Sequence, residues 1–204
     1  MVSDELVARA AVLSSATLHE ASGRRGALPS RLKPLDPSMR FAGRALPVRC
    51  PAGDNLQLHH ALVEARAGDV MVVDCGEGDE FGYWGEIMAT AAQVRGLAAL
   101  VITGGVRDSR QLIALGLPTF SGTVTVHGTG KDKTKDGGVG EPVRIGEVVI
   151  RRGDLVFGDA DGVVAYPAAE AETVIAASEE RDAKEAVIMD KLRAGATTLE
   201  VYRF

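Results

Sequence analysis

The chain has 204 residues, a length that suits one domain and can bury a sizeable core without disulfides. Apolar residues at 46% and charged residues at 25% sit near globular averages and exclude extensive disorder. With 23 basic against 28 acidic residues the net charge is -5 and no broad basic face is implied, which argues against nucleic acid as a partner, while no basic amphipathic run or long apolar segment points to a membrane. Cys50 and Cys75 stand in no metal-type spacing and read as reduced thiols in or near a core. Residues 1–16 show no signal-peptide pattern, so a cytoplasmic location is expected.

In chain order, Ser3 can cap a helix whose apolar positions are Leu6, Val7, Ala10 and Leu13, and a second short helix over 18–21 stops at Gly23. Residues 26–37, with Pro29, Pro34 and Pro37, read as irregular coil, and 41–49 reads as a strand ended by Pro51. Asp54 or Asn55 caps a helix through Leu58, Leu62 and Ala65 that Gly68 closes. The adjacent His59 and His60 face different ways on that helix and are expected at or near the surface.

Residues 70–73 form a continuous apolar run, as a strand buried on both faces would. An acidic, glycine-rich loop over 76–82 follows, then a helix over 85–95 ended by Gly96, then a second buried strand over 98–102. This is the pattern of a parallel β-α-β unit. Beyond it come a short helix with Leu112, Ile113 and Leu115, a strand over 118–121, and a polar loop over 131–140 expected to be mobile. Short strands over 143–145, 147–151, 154–157 and 162–166 read as antiparallel, and 168–193 as a long charged helix with Val174, Ile175, Val187, Ile188 and Leu192 along one face.

Ligands of open parallel sheets bind beyond the carboxyl ends of the strands. Two strands here run into Asp74-Cys75-Gly76-Glu77-Gly78-Asp79 and into Gly104-Gly105-Val106-Arg107-Asp108, and the helix between them starts at Gly85-Glu86-Ile87-Met88. A β-α-β unit brings all three to one edge. A helix N-terminus offers unpaired N–H groups to a carboxylate, Gly85 lets a ligand approach the backbone, and Arg107 can grip the same carboxylate with two hydrogen bonds. Asp108 can ligate a hard cation, and Glu86, Asp79 or Glu77 could hold its waters. An Arg-Asp pair or an acidic loop is by itself ordinarily a solvated turn; the convergence singles these out. The acidic 76–82 loop has the wrong spacing and charge for a dinucleotide. Trp84 is expected either over the site or in the core, and His127 in a solvated loop.

The Gly85-Glu86-Ile87-Met88 and Gly104-Gly105-Val106-Arg107-Asp108 segments resemble the RraA-like family, and so do Asp159-Ala160-Asp161-Gly162-Val163-Val164 and the tail from Lys191 to Tyr202. The tail resembles the class II 4-hydroxy-4-methyl-2-oxoglutarate / 4-carboxy-4-hydroxy-2-oxoadipate aldolases, lyases of aromatic-compound degradation that also decarboxylate oxaloacetate. The resemblance implies an α/β fold, a swivelling β/β/α-type sandwich with a parallel β-α-β core and terminal helices, as one domain over 1–204. It implies a homotrimer or homohexamer with the C-terminal helix over 168–194 at a subunit interface. It implies that Gly85, Glu86, Ile87 and Met88 bind the substrate carboxylate through backbone N–H groups together with Arg107, that Asp108 ligates Mg²⁺ or Mn²⁺, and that Glu86 acts on the metal through water. The substrate is then a small oxo diacid cleaved to pyruvate. Glu180 or Glu185 of a neighbouring subunit are further candidate acids. Where the family usually has an acid three residues after the aspartate, this chain has Gln111, which can orient a water but adds no charge. A lysine Schiff base is disfavoured, because the lysines lie in polar loops or on the charged helix. Some relatives in this family instead bind and inhibit a ribonuclease, which is the alternative function.

Overall fold

A computed structural model of the chain describes residues 1–78 and 80–203; Asp79, one of the candidate acids, lies outside the described residues. In chain order the elements are α1 (Asp4–Ala10), α2 (Ser15–Ala21), β1 (Lys33–Pro34), β2 (Phe41–Arg49), α3 (Leu56–Glu64), β3 (Asp69–Asp74), β4 (Gly82–Trp84), α4 (Glu86–Val94), β5 (Ala99–Val106), α5 (Ser109–Leu115), β6 (Thr119–Val124), β7 (Gly138–Val139), β8 (Val143–Ile145), β9 (Val148–Ile150), β10 (Leu155–Asp159), β11 (Gly162–Tyr166), α6 (Ala171–Arg193) and α7 (Thr198–Tyr202). This is the expected mixed α/β architecture, with a parallel β-α-β core and helices at both ends.

Strands β2, β3, β5 and β6 are mutually parallel neighbours, in register Val48↔Val73, Val73↔Ile102 and Ile102↔Ser121. Their carboxyl ends therefore share one edge. β10 and β11 continue the sheet antiparallel beyond β2. The alternation of side chains along each strand sorts the interior into three cores. Met71, Val73, Leu100 and Ile102 point outward and pack with Leu58 and Leu62 of α3, Met88 and Ala92 of α4, and Leu112 of α5. Val70, Val72, Val101 and Phe120 point inward, against Val156, Ala165 and the β8–β9 hairpin residues Val143, Ile145 and Ile150. Leu155, Phe157, Val164 and Tyr166 face outward on the other half, under Leu18 of α2 and Val174 and Ile175 of α6. Covering both outer faces with helices while the sheet curls around a shared inner core makes β3 and β5 apolar throughout, as their sequence predicts.

The curl nearly closes. Gly26 accepts from Ala165 N–H and Leu28 donates to Val163, so this segment pairs with β11, while β1 pairs with β6 a few residues later. The 26–37 stretch read as irregular coil is thus the seam between the two sheet edges. Pro34 can sit there because an edge strand needs no donor on its outer side.

Other differences from the sequence reading have local causes. Helix α2 starts at Ser15 because Ser14 caps it and Asp159 accepts from both Ser15 N–H (2.8 Å) and Ser15 Oγ (2.6 Å). The end of the supposedly mobile 131–140 loop is strand β7, paired with Val48 and Arg49. The short α7 carries a capping box between Thr197 and Glu200. Among the described residues no helix is long and apolar enough to cross a membrane.

Leu100 is fully buried in the helix-covered core. Leu100→Ala should lower stability by about 2–5 kcal/mol, read as a reduced midpoint in urea denaturation followed by circular dichroism.

Candidate functional site

The site grows out of how β5 ends. β3 pairs with β5 only as far as Ile102, and β4 then takes its place beside Gly105 and Val106. β5 can accept β4 there because Gly104 has no side chain; a Cβ would stand 2.7 Å from the Tyr83 ring. Arg107 N–H donates to Trp84 O at 2.8 Å, so the residue before Gly85 is tied to the residue before Asp108. The chain then turns at Asp108, whose φ of +57° lies in the left-handed region that aspartate tolerates better than most residues.

That turn brings the Asp108 carboxylate back onto the start of α4. Asp108 Oδ2 accepts from Glu86 N–H at 3.1 Å, and Gly85, the N-cap, supplies no side chain of its own. A Cβ on Gly85 would meet Asp108 Oδ2 at 2.5 Å and Arg107 Cγ at 3.2 Å, so glycine is required by the close approach. The first N–H groups of a helix have no partner inside it. One of them, that of Glu86, is occupied by Asp108, which leaves those of Ile87 and Met88 for an anion.

Gly85, Ile87, Met88, Arg107 and Asp108 line one cleft of about 160 Å³ together with Asn55, His59, Tyr83 and Lys131. A wider depression of about 750 Å³ lies on the other side of the Arg107-Asp108 pair, lined by Ser109, Arg110, Gln111, Val124, Thr125 and Val126. The structure therefore brings together Gly85, Ile87, Met88, Arg107 and Asp108 and puts Gln111 across the Arg-Asp pair from them. The side chain of Glu86 is exposed and lines neither cleft; the contact it makes with the site is its backbone bond to Asp108. Glu77 is also exposed and outside both clefts. Glu180 and Glu185 lie on α6, which packs on α1 and α2, and are held in ion pairs with Lys184 and Arg181.

Four cleft residues, Asn55, His59, Tyr83 and Lys131, escaped the sequence reading. His59 faces the cleft while its neighbour His60 is exposed, an orientation that only the packing of α3 against α4 decides. Asn55 lies beneath, its amide nitrogen donating to Tyr83 O at 2.8 Å. Lys131 comes from the loop read as mobile. Trp84 is core, and His127 is exposed, with Nδ1 3.0 Å from Glu80 O. Among the described residues Arg107 and Lys131 have no ion-pair partner, so two positive charges flank the cleft.

The thiols are not nucleophile candidates. Burial pushes Cys75 up to about 12 and pushes Cys50 higher still, so both are neutral thiols. Burial, then Lys131 and His60, hold the His59 imidazole below its ordinary value. A separate cleft of about 420 Å³ lies at the opposite end of the sheet, but two of its acids are committed to structure: Asp159 binds Ser15, and Asp182 accepts from Thr17.

The donor set at the site fits a magnesium-like ion. Among the described residues no three of His, Cys, Asp and Glu gather to enclose a metal, which is not the closed ligand set of structural zinc. Asp108, with one oxygen steadied by Glu86 N–H and the other without a hydrogen-bond partner among the described residues, suits a hard cation that keeps several waters and takes its remaining ligands from the substrate.

Comparison with known proteins gives the family and the fold. Residues 2–165 match the RraA-like family, described as Aldolase/RraA. The chain is 34% identical over 177 residues to a protein of Halalkalibacterium halodurans provisionally named 4-hydroxy-4-methyl-2-oxoglutarate aldolase, the match spanning 85% of this chain and 83% of that one. A crystal structure of an uncharacterized Pseudomonas syringae protein superposes with a TM-score of 0.86 over 99% of this chain and 94% of that one; at 23% identity it speaks to the fold alone. Streptomyces coelicolor RraAS2, described as an unusual member of the RNase ES inhibitor RraA protein family, superposes with a TM-score of 0.80 at 27% identity, over 94% of this chain and all of that one, 100%.

Asp108 acts as the missing cap of α4. Asp108→Ala should destabilise the protein by about 1 kcal/mol through loss of that cap, whereas Asp108→Asn, which keeps a carbonyl acceptor and tolerates the left-handed turn, should stay close to the parent. Urea midpoints of the two variants check this.

Proposed function

The chain belongs to the RraA-like family, and from that footing we propose that it is a divalent-metal-dependent pyruvate aldolase. It cleaves 4-hydroxy-4-methyl-2-oxoglutarate or 4-carboxy-4-hydroxy-2-oxoadipate to pyruvate and decarboxylates oxaloacetate at the same site. The observation that carries this reading is the meeting of a helix N-terminus, the unpaired Arg107 and the Asp108 carboxylate at one small cleft.

In this reading the C1 carboxylate lies on the N–H groups of Ile87 and Met88, with Arg107 across it making a two-pronged contact. Asp108 would hold Mg²⁺ or Mn²⁺, and that ion would supply Lewis-acid stabilisation to charge on the 2-oxo oxygen, while Glu86 serves through its backbone N–H, which steadies Asp108. Retro-aldol cleavage removes the proton of the 4-hydroxyl and breaks the C3–C4 bond. The bonding pair moves to C3 and into the 2-oxo group, and a proton returned to C3 gives pyruvate. The C4 fragment leaves as a second pyruvate or as oxaloacetate. Oxaloacetate needs no hydroxyl deprotonation: carbon dioxide leaves C3 and the same electron pair is stored. Arg107 contributes by standing where negative charge develops. Lys131 is exposed rather than desolvated, so a Schiff-base route has no suitable amine in the cleft. The proposal includes a homotrimer or homohexamer with α6 at the interface. Supporting this, α6 has no buried residue after Ser178 and exposes Val187 and Met189.

The likeness to RraAS2 favours a second reading, a regulator that binds a ribonuclease. A coupled pyruvate assay separates the two. Oxo-diacid cleavage should require Mg²⁺ or Mn²⁺, stop with a chelator, and fall by about a hundredfold or more in Arg107→Ala and Asp108→Asn. Metal-independent inactivity of the parent, with capture of a ribonuclease, would reverse the assignment.

A further inference from the structure

The two thiols have no part in the reaction as written, yet the fold makes them neighbours. β2 and β3 run parallel, with Val48 opposite Val73 and Arg49 opposite Asp74. Cys50 N–H donates to Asp74 O at 2.8 Å, so the ladder continues one step and sets Cys50 opposite Cys75. Both side chains fall on the helix-covered face, in line with Val48 and Val73. Adjacent strands lie about 4.8 Å apart, inside the Cα separation of roughly 4.4–6.8 Å that a disulfide spans. The chain has no other cysteine, and burial keeps this pair from the thiols of other molecules.

Both are free thiols in this structure, and the Cys75 sulfur turns away from its partner. β3 lies between β2 and β5, and the sulfur leans toward β5. A Cβ on Gly104 would stand 3.0 Å from Cys75 Sγ and 2.7 Å from the Tyr83 ring, so sulfur and ring meet over that glycine. The Tyr83 hydroxyl accepts from Gly53 N–H at 2.9 Å and donates to the Cys75 sulfur. The Cys75 backbone is fixed by its N–H bond to Thr103 Oγ1 at 2.9 Å, so rotation of the side chain between staggered positions is the motion open to it.

We infer that Cys50 and Cys75 are a redox pair: sustained exposure to a peroxide closes them to a disulfide, which draws the Cys75 sulfur from β5 to β2 and loosens β4 beneath the cleft. One sulfur attacks a peroxide oxygen, the O–O bond breaks, and one water departs, leaving a sulfenic acid. The second sulfur attacks that acid; the S–S bond forms, the S–O bond breaks, and a second water departs. Each sulfur gives up one electron, the peroxide takes both, and the two thiol protons end in the waters. Burial keeps the sulfurs protonated, so the first step is slow and the pair answers prolonged oxidation. Once made, the bridge takes from the Tyr83 hydroxyl the sulfur it donates to, on the strand that leads into Gly85. The effect on turnover rests on the proposed aldolase reading; the bridge itself does not.

The test incubates the folded, full-length protein with hydrogen peroxide for hours and then removes the excess with catalase. The product should be lighter by two hydrogen atoms, take up no alkylating reagent on unfolding, and yield one peptide pair joined through Cys50 and Cys75. Emission from Trp84, the single tryptophan and the residue after Tyr83, should shift. Pyruvate release with Mg²⁺ should fall about two- to tenfold, the size of one lost hydrogen bond. Dithiothreitol should restore all of these; it does not reverse methionine sulfoxide, so recovery isolates the thiols. Cys50→Ala should begin near parent activity and show neither the emission shift nor the recoverable loss, and Cys50→Ser serves if the alanine variant does not fold. Two thiols still open to alkylation after the treatment would overturn the redox pair. A bridge that leaves both emission and turnover unchanged would overturn its action on β4. If the untreated parent releases no pyruvate, the aldolase reading fails, while mass and emission still decide the redox pair.

Discussion

The hydrogen bond from Glu86 N–H to the Asp108 carboxylate joins the end of one strand to the beginning of a helix that precedes it in sequence. It exists because three conditions coincide: β4 replaces β3 beside β5, Gly85 has no Cβ, and Asp108 accepts a left-handed backbone. Each condition is local and modest in energy. Together they hold a carboxylate, a guanidinium and free helix N–H groups within one cleft, and preorganisation of that kind is what a site needs if charge is to be stabilised without reorganising solvent.

The electrostatics follow from the same construction. The Asp108 carboxylate is stabilised by the positive end of α4, so it can stay close to Arg107 without being neutralised by a direct ion pair. Arg107 remains available to a ligand, as does Lys131 in the same cleft. A site with two uncommitted cations and one steadied anion is suited to small acids. The buried thiols, kept protonated, leave the chemistry to oxygen and nitrogen donors.

The curled sheet gives this cleft a rigid base. The inner core shared by the two halves, with Phe41 edge-on to Phe120 at 5.1 Å, sits behind strands whose ends form the site. Because α3, α4 and α5 all cover the same outer face, the loops entering and leaving them are gathered at one edge, and residues as far apart in sequence as Asn55 and Lys131 become neighbours.

Much of this was legible in the sequence. Strands β3 and β5 were recognisable because burial on both faces imposes continuous apolar runs, and the parallel β-α-β pattern places Gly85, Arg107 and Asp108 on one edge without further information. Strands β1, β4 and β7 were not, because two or three residues carry no periodicity; they are strands only because a partner edge is presented to them. The same reason divides the residues of the cleft into those the sequence marks and those it does not. Gly85 and Asp108 belong to motifs whose residue types encode close approach and cation binding, so the stretch between them announced itself. His59, Asn55 and Lys131 sit in ordinary contexts, and the acid at Glu86 contributes to the cleft its backbone rather than its side chain. Which way a half-buried helix residue faces, and whether a polar loop is clipped or free, depends on long-range hydrogen bonds such as Asp132 to Asp54, and these are settled only when distant segments meet.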